Sequence, residues 1–174
     1  AAGIPVVLDQ RSSLMHDKFV TVDGQAVWTG STNFTDSCFT FNHNNSLLVR
    51  SPLLSYAYAQ EFHGMFGLAR FGTAKARHTP VSAGSDTTSV LSAFGPTDTL
   101  EAQLLTEIRD AESSIHFAIF FFTSPSMADA LLAERDEGAE VWGLWDRLGA
   151  ANRYSQDGRL CQAGIPLKIE NFGG

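Results

Sequence analysis

The 174-residue chain predicts an α/β fold, with a mixed or largely parallel β-sheet flanked by helices. Three observations predict it. From Gly95-Pro96 onward, helix-spaced and strand-like apolar runs alternate strictly. Ile115 to Phe122 is a continuous apolar run, the pattern of a strand covered on both faces. Finally, Ala2-Gly3-Ile4-Pro5 recurs 161 residues later as Ala163-Gly164-Ile165-Pro166. Each copy leads into a short apolar strand that ends in an acid, Val6 to Asp9 and Leu167 to Glu170.

Taken in order, Ile4 to Leu8 suits a buried strand. Val20-Thr21-Val22 and Ala26-Val27-Trp28 flank Asp23-Gly24-Gln25, and Asp-Gly between such runs signals a hairpin. A two-residue loop at Asp23-Gly24 pairs Val22 with Gln25, Lys18 with Thr29 and His16 with Ser31. Thr35 to Asn45 is polar and reads as a loop, and Ser46 to Arg50 as a strand. Pro52 opens a helix striped by Leu54, Tyr58, Phe62 and Phe66. Gly72 to Thr87 mixes Gly, Ser, Thr, Ala and Pro, the composition of a linker. Leu100, Leu104 and Ile108 stripe the next helix. Met127 to Arg135 reads as a second, Val141 to Trp145 as a strand ending in Asp146, Tyr154 to Gln162 as a third helix, and Ile165 to Ile169 as the last strand.

The bulk numbers bound the function. Length and a 44% hydrophobic content fit one buried domain or two halves of larger ones. A net charge of −7 argues against a sequence-independent nucleic-acid binder, which recruits phosphates with Lys and Arg, although one local basic cleft would suffice. Cys38 and Cys161 lack metal-ligand spacing. The longest apolar run, Phe117 to Phe122, is far too short to cross a bilayer, so the expectation is a chain that is soluble or peripheral to a membrane.

Chemistry concentrates between Met15 and Asn33. His16-x-Lys18 is followed by Asp23 and then by Gly30-Ser31-x-Asn33. With residue frequencies of roughly one in twenty, such a pattern arises by chance in a chain this long on the order of once in a million. Side chains at i and i+2 share a face, and so do directly opposed residues. The expected register therefore projects His16, Lys18, Ser31 and Asn33 from one side of the hairpin. A nucleophile, a cation and two neutral hydrogen-bonding groups on one patch suit a phosphate. Asp23 sits at the turn, which favours a structural role for it. Read singly, each of these residues is ordinary, and Ser31 and Asn33 could simply satisfy loop backbone groups.

These residues resemble the His-Lys-Asp signature of the phospholipase D superfamily, with every position filled. The resemblance implies phosphodiester cleavage through a histidine-bound phosphoryl intermediate, with no metal and no other cofactor. His16, Lys18 and Asp23 correspond to the catalytic signature, and Lys18, Ser31 and Asn33 to the phosphate-binding groups. It also implies two α/β repeats whose motifs meet at a pseudo-two-fold axis. Residues 1–70 then resemble the second half of one repeat, 71–95 a linker, and 96–174 the first half of the next, with its motif absent. The chain holds a single His-x-Lys, so the second motif is expected from sequence downstream of Gly174 or from a homodimer partner. Where many family members place a Glu that orients a catalytic His, this chain has Phe41-Asn42-His43-Asn44-Asn45, so an amide takes that position.

The expected substrate is a phosphodiester. Phospholipid is the favoured class, and Phe34, Phe39 and Phe41 offer contact for acyl chains or serve as core. A nuclease of the same superfamily and a catalytically inactive interaction module are the alternatives. Lys75-Ala76-Arg77-His78 is too small to make a basic cleft and reads as a solvated cluster. His116 reads as a core or strand-edge histidine, and Asp146 as a helix cap.

Overall fold

The computed structural model describes residues 2–85 and 88–170; Asp86 and Thr87, at the end of the expected linker, lie outside them. The chain divides into two compact units, Ala1–Leu100 and Glu101–Gly174. The first is built on antiparallel sheets and the second on a parallel one, each with helices, so the fold is mixed α/β.

In the first unit, β1 (Phe19–Val22), β2 (Ala26–Gly30) and β3 (Ser46–Arg50) form an antiparallel sheet in that order. The expected hairpin is there, but its register differs by one residue. Phe19 pairs with Thr29, Val20 with Trp28 and Val22 with Ala26. Asp23 and Gly24 turn the chain at φ +54° and +65°, and Gln25 N donates to Val22 O at 2.9 Å. The ladder resumes only at Ala26, leaving Gln25 as an extra loop residue.

Packing explains the shift. In this register Phe19 and Val27 share one face, and helix α2 (Pro52–Phe66) lies against it. Val27 is buried there, and Phe19 meets the Tyr58 ring edge-on at 5.1 Å. A slip of one residue would turn Trp28 rather than Val27 toward the side Phe19 occupies.

Helix α2 starts at Pro52 as expected, with Ser51 Oγ accepting from Leu54 N at 3.3 Å. Its buried stripe is Leu54, Ala57, Glu61 and Met65, while Phe62 and Phe66 stay at the surface, stacked on each other. The helix is rotated relative to the expected stripe because Glu61 is drawn inward to Lys75. On the other face of the sheet, Val20, Val22 and Leu48 remain exposed.

Three further expectations change in this unit. Ile4 to Leu8 is not a buried strand: Ile4 and Val6 are 76% and 73% exposed, and the segment joins no ladder among the described residues. An apolar run becomes a strand only where a neighbour satisfies its backbone. Within the expected loop lies a short helix, α1 (Asp36–Thr40), because Thr35 Oγ1 caps it by accepting from Cys38 N at 3.3 Å. The expected linker holds a 3₁₀ turn at Gly72–Ala74 and a hairpin of β4 (Val81–Ser85) and β5 (Thr88–Ser92). Its Lys75 is buried rather than solvated, since Glu61 neutralises it.

The second unit follows the expected order closely. Helix α3 (Leu100–Arg109) leads into β6 (Ser114–Ile119), α4 (Pro125–Glu137), β7 (Glu140–Trp145), α5 (Arg147–Ala150), α6 (Asp157–Gln162) and β8 (Leu167–Ile169). The sheet is parallel, in the order β6-β7-β8. Ile108, Leu131, Val141, Trp145, Leu160 and Ile165 form its core. Helix α4 is bounded by the Ser124 cap and by Gly138 at φ +108°. Asp146 caps α5, its Oδ1 accepting from Leu148 N at 2.7 Å and Gly149 N at 3.3 Å.

Strand β6 stops at Ile119, short of Phe122, and only one of its faces is covered within this unit. Ile115 and Phe117 turn to the core, whereas His116 is exposed on the edge strand beside Trp142, ring centroids 5.9 Å apart. Among the described residues, no helix is long and apolar enough to cross a membrane.

Leu160 is wholly buried between α6 and the sheet. Leu160→Ala is expected to destabilise the chain by about 3 kcal/mol, the usual cost of a cavity at a core leucine, read as a lower midpoint in urea unfolding.

Candidate active site

The six motif positions all lie in the first unit, five of them around the open end of the hairpin and Asp23 at its turn. β1 begins at Phe19, so His16 and Lys18 precede the ladder rather than sit inside it. The expected pairs His16–Ser31 and Lys18–Thr29 do not form, because Thr29 pairs with Phe19. His16 is exposed, and its imidazole takes no hydrogen-bond partner among the described residues. Lys18 Nζ donates to His16 O at 2.6 Å, which holds the cation against the histidine's own backbone. Thr29 Oγ1 donates to Lys18 O at 3.1 Å and ties this end of the segment to β2. Asp23 is at the far turn in the left-handed region, the structural position expected for it.

Ser31 and Asn33 are held by the segment that follows them. Gly30 makes this possible: its φ is +150°, and a Cβ there would stand 2.2 Å from Asn45 O. That close approach lets Ser31 N donate to Asn45 O at 3.0 Å. Ser31 Oγ donates to Asn44 Oδ1 and accepts from Asn45 N, both at 3.0 Å. Asn44 Nδ2 reaches back to Cys38 O at 3.0 Å. The amide expected in place of an orienting Glu is therefore committed to Ser31 and to the α1 backbone. Asn33 Nδ2 donates to Cys38 Sγ at 3.8 Å.

Two features escape the sequence reading. Cys38 gathers donors from Asn33 and Asn42, the latter at 3.5 Å. Its thiol is lowered to about 7, chiefly by a hydrogen bond to Thr35, with Asn33 and Asn42 adding to the effect and partial burial opposing it. The Thr35-x-x-Cys38 spacing of an N-cap was the legible signal for that contact. The other feature is a set of charges under α2, where Lys75 and Glu61 pair close to Asp17, the residue between His16 and Lys18. Nothing in the local spacing announces it.

Phe34, Phe39 and Phe41 are exposed, which decides against a core role for them in this unit. Phe34 packs on Trp28 at 5.2 Å and stacks with Phe39 at 6.3 Å, an apolar margin beside Ser31 and Asn33. The local chemistry is thus an accessible imidazole, an adjacent ammonium, and hydroxyl and amide groups along an aromatic edge. Among the described residues, no three His, Cys, Asp or Glu side chains converge as metal ligands would.

Comparison with known proteins finds likeness in this same part of the chain. Residues 1–66 match a family model described as "Cardiolipin synthase, PLD-like domain". The mitochondrial cardiolipin hydrolase of Xenopus laevis is 41% identical over 66 residues, which cover 38% of this chain and 31% of that protein. The protein of the same name from Chlamydomonas reinhardtii is 33% identical over 67 residues, 38% of this chain and 30% of its own length. This chain thus spans about a third of the length of the curated relatives it matches. Among solved structures, the phospholipase D family member Nuc from Salmonella typhimurium is 31% identical, with a TM-score of 0.39, covering 41% of this chain and 49% of that one.

The lowered Cys38 thiol has a direct consequence, because the thiolate is the nucleophile. A group lowered to about 7 is mostly protonated below that pH and mostly thiolate above it. Alkylation of Cys38 by iodoacetamide, followed by mass spectrometry, is expected to rise through pH 7 and level off above it. Thr35→Val, which removes the leading hydrogen bond, is expected to move that rise to higher pH.

Proposed function

We propose that this chain, whose residues 1–66 match a phospholipase D-like family model, is the motif-bearing part of a phosphodiesterase of that superfamily acting on phospholipids. The observation that carries this reading is the complete motif, His16-x-Lys18 with Asp23 and Gly30-Ser31-x-Asn33, inside the matched segment. His16 is the nucleophile or the general acid. As nucleophile, an imidazole nitrogen attacks phosphorus and the bond to the leaving alcohol breaks. The departing oxygen takes a proton from a second histidine, and water, or an alcohol in the transfer reaction, then displaces the phosphohistidine. An imidazole serves either role because its unperturbed pKa lies near 6.5. Lys18 supplies the fixed cation for the phosphoryl oxygens, and Ser31 and Asn33 supply hydrogen bonds. The resemblance implies no metal in this sequence of steps.

The mechanism needs two histidines, and the sequence holds one His-x-Lys. The second comes from another repeat of the same protein or from a second copy of the chain across a two-fold axis. On this reading, residues 1–70 are the second half of one repeat and 96–174 the first half of the next. The repeated Ala-Gly-Ile-Pro, at Ala2 and again at Ala163, supports that arrangement.

For the substrate, three observations favour phospholipid over nucleic acid. The curated relatives at 41% and 33% identity are named cardiolipin hydrolases. The net charge of −7 provides little attraction for a polyanionic strand. The exposed Phe34, Phe39 and Phe41 border the motif.

The test sets cardiolipin vesicles against supercoiled plasmid DNA, with release of phosphatidic acid and strand nicking as readouts. Lipid cleavage is expected, with a histidine-linked substrate adduct trapped by rapid alkaline quench, on His16 if it is the nucleophile and on the second histidine if it is the general acid. His16→Ala should lower the rate by about a thousandfold or more, as loss of a nucleophile does, while EDTA leaves it unchanged. Nicking without lipid cleavage would reverse the substrate assignment. Activity that survives His16→Ala would remove the mechanism.

A further inference from the structure

Segment 14–18 carries the central motif residues, yet it precedes the ladder and so lacks the backbone hydrogen bonds that fix β1. Something else must hold His16 in place. Met15, Asp17 and Phe19 line one apolar groove together with Phe62, Phe66 and Phe71. That alternation is the pleat of an extended chain, which turns His16 and Lys18 to the opposite side. Asp17 is the carboxylate in this groove, and a carboxylate enters an apolar groove at a cost unless a cation meets it.

The cation is Lys75. Its side chain is 5% exposed, and it pairs with Glu61, which is 1% exposed. An ammonium has three donors. One is taken by Glu61 Oε1 and a second by Gly95 O at 2.7 Å. Asp17 Oδ2, 4.0 Å away, is the other carboxylate within ion-pair range of Nζ. The far side of Glu61 is held as well, since its Oε2 lies 3.2 Å from His78 Nε2. Asp98 in turn fixes that backbone, accepting from His78 N and Phe94 N, each at 2.8 Å. Phe94 meets Tyr58 edge-on at 4.8 Å, and Tyr58 meets Phe19. The buried charges thus reach the motif segment on both sides of Lys18, ionically at Asp17 and through edge-to-face rings at Phe19.

We propose that the buried Glu61–Lys75 pair is a positioning device for the motif, acting through Asp17 to hold the pleat that presents His16 and Lys18. A pair serving stability alone would be complete with Glu61, Lys75 and the Gly95 carbonyl. Asp17 Oδ2, 4.0 Å from the ammonium, extends the pair to the stretch of the motif that precedes the ladder. The inference rests on the proposed role of His16 only for its effect on rate; the structural link stands apart from it.

The test is a mutant cycle on the full chain, read first by the ring proton resonances of His16, assigned with His16→Ala. Asp17 is partly exposed, and Asp17→Asn keeps its shape while removing its charge. Removing Lys75 alone would strand Glu61 as a buried charge, so the cation is removed as Glu61→Gln/Lys75→Met. The double variant is expected to shift and broaden the His16 resonances, although neither altered residue adjoins His16. In the Asp17→Asn background the same pair of substitutions should add nothing further, because the link is already cut. Lys75→Arg, which keeps the cation, should retain the wild-type resonances. If the double variant does not fold, Glu61→Gln/Lys75→Gln, which replaces both charges with neutral hydrogen-bonding groups, takes its place in the same cycle.

With a hydrolysable diester such as bis(p-nitrophenyl) phosphate, kcat should fall on the order of tenfold in Asp17→Asn at unchanged KM, the cost of a misplaced catalytic group. Unmoved His16 resonances in the double variant, or effects that add across the cycle, would overturn the inference. A chain whose resonances move as described, but which stays inactive both as a dimer and in a protein carrying both motifs, would remove the proposed function and support the positioning link. An active chain indifferent to Asp17→Asn would overturn the link and leave the function standing.

Discussion

The packing of buried Val27 and half-buried Phe19 against helix α2 is the constraint on which the first unit depends. It sets the hairpin register, and through the register it decides where β1 begins. A two-residue loop at Asp23-Gly24 satisfies the local turn chemistry, and Gln25 N does donate to Val22 O as such a turn requires. Packing then overrides the turn at its edge. One extra residue is left out of the ladder so that the apolar faces of both strands meet the same helix. The motif histidine and lysine fall just outside the sheet as a consequence, and side-chain contacts must hold them.

Helix α2 couples that sheet to a polar interior. A helix face of Leu54, Ala57 and Met65 would be an ordinary apolar stripe were Glu61 not in its middle. Burying a carboxylate is unfavourable unless a cation and further donors accompany it, and here both Lys75 and His78 do. The residues after α2 are therefore folded back on the helix that precedes them. This is why a stretch with the composition of a linker belongs to the first compact unit, whose boundary falls at Leu100.

What the sequence made legible follows from the range of the interaction concerned. The start of α2 at Pro52 and the Asp146 cap rest on neighbours within four residues, and both are observed. The strands at Ser46–Arg50 and Val141 to Trp145 are written in the local apolar pattern and completed by distant ladder partners. The motif was equally legible, because its spacing is itself the signal. The register, the rotation of α2 and the burial of Lys75 were not. Each depends on a partner 10 or more residues away: Phe19 with Thr29, Glu61 with Lys75, Lys75 with Gly95. The ring of Asn and Ser contacts around Cys38 lies between these cases. Its Thr35 cap is local, whereas the bonds from Ser31 to Asn44 and Asn45 cross from β2 to β3 and require the backbone approach that only Gly30 allows.

The two Ala-Gly-Ile-Pro copies separate local from non-local control within one molecule. In both, the glycine adopts a positive φ, +72° at Gly3 and +89° at Gly164, so the bend is written in the tetrapeptide. Burial is not. Ile165 is 2% exposed because α6 ends against it, Ile165 N donating to Leu160 O at 3.1 Å, and because β8 then lies beside β7. Ile4 carries the same side chain in the same local sequence and is exposed, and no strand forms after it among the described residues. An apolar strand is a half-statement that a neighbouring strand and helix complete. In the second unit that completion is present within the unit itself, and it turns the same four residues from an exposed bend into the lead of a paired strand, with Ile165 in the core.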